Sequence, residues 1–242
     1  MDAEALSRTA LLLGDEAVAR LARAHVLVVG VGGVGAYAAE VLARSGVGRI
    51  TIIDGDTVAP SNLNRQLPAL VSTLGEAKVD VMRRRILDIN PACLVVARCG
   101  FVAPDDVPGL LQELHPDFVI DAIDSIAPKV ALVEECLRAK VKIVSSMGAG
   151  GRTDPAKVKY ADISETVHDG LAREVRHRLR RDGIHKGLKV VCSTEQPRKA
   201  SLLLTDEIAF KRSSFGTVSW IPAQFGLMLG AYAVSKLTDT RL

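Results

Sequence analysis

Paired cysteines, aromatic rings and long apolar runs are all scarce in this sequence. Its four cysteines (Cys93, Cys99, Cys136 and Cys192) are irregularly spaced and form no C-x-x-C pair. That spacing argues against a structural zinc site, offers no disulfide framework, and makes a reducing cytoplasm the expected compartment. Aromatic residues are 4% of the chain, too few for a surface that stacks on successive bases. The five histidines, at 25, 115, 168, 177 and 185, show no metal-ligand spacing. The opening MDAEALSRTALLLGDEAVARL carries acids early and lacks a cationic start followed by an apolar block, so no secretory leader is expected. Residues 220–234 are apolar but include Pro222, Gln224, Gly226 and Gly230. They read as a buried core helix, too short to span a bilayer, and no membrane partner is expected.

With 48% hydrophobic and 24% charged residues over 242 positions, the composition is that of a globular protein with one large core. The net charge is only +3, yet residues 171–189 hold seven Lys/Arg against two acids. So local an excess suggests an anionic partner at one place, with Arg173, Arg176, Arg180, Arg181 and Lys186 as the contact candidates. A solvated helix face is the plainer alternative.

The most informative segment is 26–56, VLVVGVGGVGAYAAEVLARSGVGRITIIDGD. An apolar run leads into Gly30, Gly32, Gly33 and Gly35, then a helix-like stretch, then a second apolar run ending in Asp54. This is strand, glycine turn, helix, strand and acid: a βαβ unit that holds a nucleotide. The glycines allow close approach to a phosphate, the helix start offers free N–H groups, and Asp54 is placed to accept ribose hydroxyls.

Downstream, helix-like spacing at 76–89, 104–114 and 129–139 alternates with strand-like runs at 94–97, 118–121 and 142–145. The pattern predicts an α/β, Rossmann-like, doubly wound and mostly parallel sheet. After Gly151 it breaks into strands at 158–163 and 188–192 around a helix at 169–181. The expected organisation is one domain, 1–242. Residues 1–150 form its nucleotide-binding core, and 151–242 an elaborated half with substrate-side strands, basic insert and closing helix.

Beyond Asp54 the run continues as D-G-D-T-V-A-P-S-N-L-N-R-Q, ending in Arg65 and Gln66, and Lys78 follows near a helix start. Two cations there suit a triphosphate better than a dinucleotide, because they stabilise charge developing on a leaving pyrophosphate. D-A-I-D-S (121–125) puts carboxylates at a strand mouth, where an acid can hold Mg²⁺ against phosphate oxygens.

These motifs together resemble the ThiF/MoeB/HesA superfamily, relatives of the ubiquitin-activating enzymes, over most of 8–150. Within it the likeness is to the branch that cyclises threonylcarbamoyladenosine in tRNA with loss of water. D-A-I-D-S followed by P-K, M-G-A-G-G-R-T-D-P (147–155) and C-S-T-E (192–195) carry that likeness. The resemblance implies ATP and Mg²⁺ as cofactors, tRNA and not DNA as substrate, and a homodimer. It makes the four glycines the nucleotide loop, and Asp54, Asp56 and Asn62 nucleotide-binding residues. Arg65 and Lys78 become phosphate-binding catalytic residues, Asp124 the Mg²⁺ ligand required for chemistry, and Arg8 an arginine reaching the partner subunit's site. Asp121 reads as structural, and Cys192 as a buried thiol rather than a nucleophile. Two alternatives stay open: adenylation of a ubiquitin-like sulfur-carrier C-terminus, and a non-catalytic partner in a sulfur relay with a cysteine desulfurase.

Overall fold

In the computed structural model, residues 2–208 and 211–241 are described, with backbone only at 199, 202–208 and 211–214. The strands are β1 (His25–Val29), β2 (Arg49–Asp54), β3 (Leu94–Cys99), β4 (Phe118–Asp121), β5 (Lys142–Ser146), β6 (Val158–Asp162) and β7 (Lys189–Ser193). They form one sheet in the order β3-β2-β1-β4-β5-β7-β6. All neighbours are parallel except β6, which runs antiparallel to β7. Strand order reverses between β1 and β4, and the crevice beyond their carboxyl ends is where such sheets bind ligands.

Alternation along the buried strands feeds two cores. Val26 and Val28 of β1 point to one, shared with Ile50, Ile52, Phe118 and Ile120; Leu27 and Val29 point to the other, with Val119 and Ile143. The first face is covered by α3 (Gly35–Arg44), α4 (Lys78–Ile89) and α8 (Trp220–Thr238). The second is covered by α5 (Val107–Leu114), α6 (Ile126–Arg138) and α7 (Gly170–Arg181). The apolar 220–234 stretch is thus a core helix, and among the described residues no helix is long and apolar enough to cross a membrane. It lies so close to α3 that a Cβ on Gly226 would sit 2.2 Å from the Val34 carbonyl oxygen. Preceding β1, α1 (Ser7–Leu13) has no buried residue, and α2 (Asp15–Arg23) buries Ala17 and Leu21.

Three features differ from the sequence reading. α6 begins at Ile126 instead of 129, because Pro128 falls in the first turn, where no intrahelical N–H is needed. The 104–114 helix starts with a 3₁₀ turn at Pro104–Asp106. A separate antiparallel pair, β8 (Leu202–Ile208) with β9 (Lys211–Phe215), stands between the loop at 196–198 and α8.

Candidate active site

The glycine turn leaves β1 at the reversal point, and two of its glycines are demanded by the protein's own packing. Gly30 has φ +88°, and a Cβ there would lie 2.8 Å from the Ala122 carbonyl oxygen; a Cβ on Gly35 would lie 1.8 Å from the Gly30 oxygen. Gly32 and Gly33 are different. Their added Cβ atoms would meet only Gln66 at 3.7 Å, and Pro222 at 3.4 Å with Arg65 at 3.6 Å. The first pair makes the turn and seats it on the loop after β4. The second pair keeps its open face clear beneath the 61–66 segment.

Asp54, at the end of β2, holds the turn in place. Its Oδ2 accepts the Val31 N–H at 2.7 Å and its Oδ1 accepts the Asp56 N–H at 2.8 Å. Burial pushes its carboxyl upward, opposed by the Lys78 charge and these two amide bonds. Lys78 opens α4 and is nearly fully buried, with its Nζ 2.6 Å from Asp56 Oδ2. The backbone pins this corner as well: the Val58 N–H donates to the Glu76 carbonyl at 2.8 Å and the Lys78 N–H to the Asp56 carbonyl at 3.1 Å. Lys78 therefore presents a fixed, desolvated cation beside Asp54.

The Pro60–Asn62 3₁₀ turn carries the next group. Asn62 is buried and its Oδ1 accepts the Ala59 N–H at 3.0 Å, which shapes the segment. Arg65 Nη1 donates to the Ser61 carbonyl at 2.7 Å and to Asn64 Oδ1 at 2.8 Å. Burial lowers the Arg65 guanidinium's affinity for its proton, and the nearby Asp124 charge raises it. Asp124 is exposed in the loop between β4 and α6. Among the described residues no group of three His, Cys, Asp or Glu side chains could hold a metal alone. A lone carboxylate facing a polyphosphate is still the donor set Mg²⁺ uses, since that ion takes one or two carboxylates together with phosphate oxygens.

Asp121 is structural, as its position at a strand end suggested, but its main partner lies outside the motif. Fully buried, it pairs with Lys129 Nζ at 2.6 Å, and Lys129 also donates to Ser145 Oγ at 3.1 Å and the Ser146 carbonyl at 3.0 Å. A second buried network shapes the 148–155 loop. Arg152 donates to the Gly148 and His168 carbonyls and to Asp169, while the Glu195 carboxylate accepts the Thr153 and Asp154 N–H groups at 3.0 and 2.8 Å. Burial pushes the Glu195 carboxyl up, but those amides outweigh it and hold it low. Trp220 Nε1 then donates to the Thr153 carbonyl and Asn64 Nδ2 to the Thr217 carbonyl, each at 2.9 Å, tying this loop and the Arg65 segment to the start of α8. Sequence reasoning gave Lys129, Arg152 and Glu195 no role; their only signal was their place in the P-K, G-G-R-T-D and C-S-T-E motifs.

Which family builds this corner is settled by comparison: a family model described as ThiF matches residues 6–241. The chain belongs to the ThiF family. The Bacillus subtilis (strain 168) tRNA threonylcarbamoyladenosine dehydratase is 43% identical over 240 residues, which is 96% of this chain and 93% of that protein. The Escherichia coli tRNA N6-threonylcarbamoyladenosine dehydratase solved with ATP superposes at a TM-score of 0.89 and 39% identity, covering 98% of this chain and 95% of that one. Its complex with AMP also gives 0.89, at 40% identity and the same coverage.

Not every expected residue of this ThiF chain is at the corner. Arg8 is exposed on α1, whose base, Leu6, packs on Gly46 at the far end of α3 from the glycine turn. Cys192 is buried and burial raises its thiol, which leaves it unsuited to nucleophilic work. Of the basic candidates, Arg173, Arg180, Arg181 and Lys186 are exposed. Arg176 departs from the expectation of an open contact residue: its Nη1 donates to the Ile163 carbonyl at 3.2 Å, the Thr166 carbonyl at 3.0 Å and Thr166 Oγ1. Half-buried, it braces the turn before α7.

Proposed function

We propose that this chain is an ATP- and Mg²⁺-dependent tRNA threonylcarbamoyladenosine dehydratase. The observation that carries the reading is near-full-length similarity to dehydratases of that name, in a chain that keeps Arg65, Lys78 and Asp124 around one glycine turn. Gly32 and Gly33 admit the phosphates, and Asp54 takes the ribose on the lone pairs its amide bonds leave. Asp124 would hold Mg²⁺, which supplies charge neutralisation at the triphosphate when bound.

In the first step an oxygen of the threonylcarbamoyl carboxylate attacks the α-phosphorus. The bond from that phosphorus to the bridging oxygen breaks, and pyrophosphate leaves with the negative charge that Arg65 and Lys78 stabilise. In the second, the amide of the same group attacks the activated carbonyl, the carbonyl carbon–oxygen bond to AMP breaks, and the ring closes. The carboxylate oxygen departs on AMP and the attacking amide releases its proton to solvent, so the tRNA loses the elements of one water overall. The attacking amide is tethered to its target, so proximity drives closure without a protein nucleophile. The buried state of Cys192 agrees.

A homodimer fits the exposed Leu11 and Leu12 of α1, each 83% accessible, and would carry Arg8 toward the other subunit's site. Four free cysteines suit the reducing cytoplasm in which tRNA is modified. The test is mass spectrometry of tRNA nucleosides after incubation with the protein, ATP and Mg²⁺. Threonylcarbamoyladenosine should lose the mass of one water; an unchanged mass refutes the reading.

A further inference from the structure

Two cavities lie at the end of the sheet opposite the glycine turn. One, of about 480 Å³, is lined by Arg23, Lys140, Lys142 and Lys236 beside the amino ends of β4 and β5. The other, of about 450 Å³, shares Lys236 and adds Lys189, the first residue of β7, and Arg241. The two adjoin at Lys236 and Asp239, which line both, and are together called the groove. Its acids are largely committed: Asp239 pairs with Arg20 at 3.0 Å, and Asp117 accepts the His25 N–H at 2.8 Å.

The cations are presented individually. Lys140 has φ +58°, a left-handed conformation that costs a lysine energy and turns the chain at the α6–β5 junction. Lys142 Nζ leans on the Lys236 carbonyl at 3.4 Å, and Lys236 Nζ rests 5.3 Å above the Tyr232 ring. Neither lysine has a carboxylate partner among these contacts, and both are exposed. α7 ends with Arg180 and Arg181, and Lys186 follows in the connection to Lys189, so the basic segment meets the sheet at this same amino end. Exposed, separately held ammonium groups around a solvent-filled groove are the chemistry of phosphodiester contact.

The geometry points to a phosphate-binding groove for the RNA backbone at this amino end, a contact separate from the nucleotide site. It rests on the tRNA reading above. Strands of five or six residues span about 17–20 Å, so an RNA that reaches the adenylation site with one nucleotide extends past this end with its helical arms. The groove holds the backbone through charge alone, in keeping with the scarcity of aromatic rings.

The experiment is fluorescence anisotropy of labelled tRNA against the full chain across roughly 50–200 mM salt. Lys140→Asn/Lys142→Ser/Lys236→Gln is expected to weaken binding on the order of tenfold and to flatten the log–log salt slope by about 3. Binding of a fluorescent ATP analogue should not change, which shows that the variant is folded. Lys→Arg at the same positions is expected to keep tRNA affinity and slope. If wild type binds tRNA and the charge-removing variant binds it with unchanged affinity and slope, the groove proposal is overturned and the dehydratase reading survives. It is equally overturned if that variant loses only a thermal shift produced by inorganic phosphate, which would mark a small-anion pocket. Wild type that binds tRNA through the groove yet removes no water would sink the dehydratase reading alone.

Discussion

Three single residues carry the sharpest tests. Asp124 is exposed, so Asp124→Ala should still fold, read by its far-UV circular dichroism, while abolishing water loss from tRNA, read by nucleoside mass spectrometry. Arg65→Ala removes one donor from the leaving pyrophosphate, and kcat should fall by about 10²–10³. Lys129 acts through stability. Lys129→Met leaves the fully buried Asp121 carboxylate unpaired, with an expected loss of about 3–5 kcal/mol in denaturant unfolding. Adding Asp121→Asn should recover part of that loss. The contrast explains what could be read in advance. Asp54 ends a strand, Lys78 opens a helix, Asp124 follows a strand closely and Arg65 sits in the short segment between the first two, so each is announced by a local boundary in the chain. Lys129 meets Asp121 across the β4–α6 turn, and the Ser145 hydroxyl and Ser146 carbonyl that complete its shell come from β5, a tertiary fact with no local periodicity to announce it.

Among the elements, α6 and α7 are joined by an acid pair. Burial, with Asp182 beside it, pushes the Glu134 carboxyl up to about 7. The folded chain therefore binds more protons here than the unfolded chain between the ordinary carboxylate range and about 7. The resulting stability is complete below that range and declines as pH rises through it. Thermal melts should show a falling Tm from pH 5 to 8, with Glu134→Gln flattening the decline; an identical slope in the variant would refute the assignment. Element positions in the first half were legible because glycine, Asn90-Pro91 and strong apolar runs punctuate them. The 202–215 pair was not, since LLLTDEIAFKRSSF has neither a turn dipeptide nor sustained alternation.

For the molecule as a whole, α1 is the open question that chemistry can answer. A helix with no buried residue and two outward leucines is stable only if something else covers it. On the homodimer proposed above, Leu11→Ser/Leu12→Ser should shift sedimentation from dimer to monomer, and activity should fall with it if Arg8 serves a neighbouring site. An active monomer would remove Arg8 from the mechanism. The doubly wound class itself followed from alternating strand and helix signals. The antiparallel β6 at the sheet edge did not, because direction is set by the α7 connection and not by the strand's own residues.

The Asp54–Val31 bond has a kinetic corollary. A turn already cinched by a carboxylate does not have to reorganise when a nucleotide arrives. Stopped-flow mixing with a fluorescent ATP analogue should give one concentration-dependent phase with no slower isomerisation behind it. Asp54→Ala should add such a phase as well as weaken binding, turning a rigid receptor into one that must first find its shape.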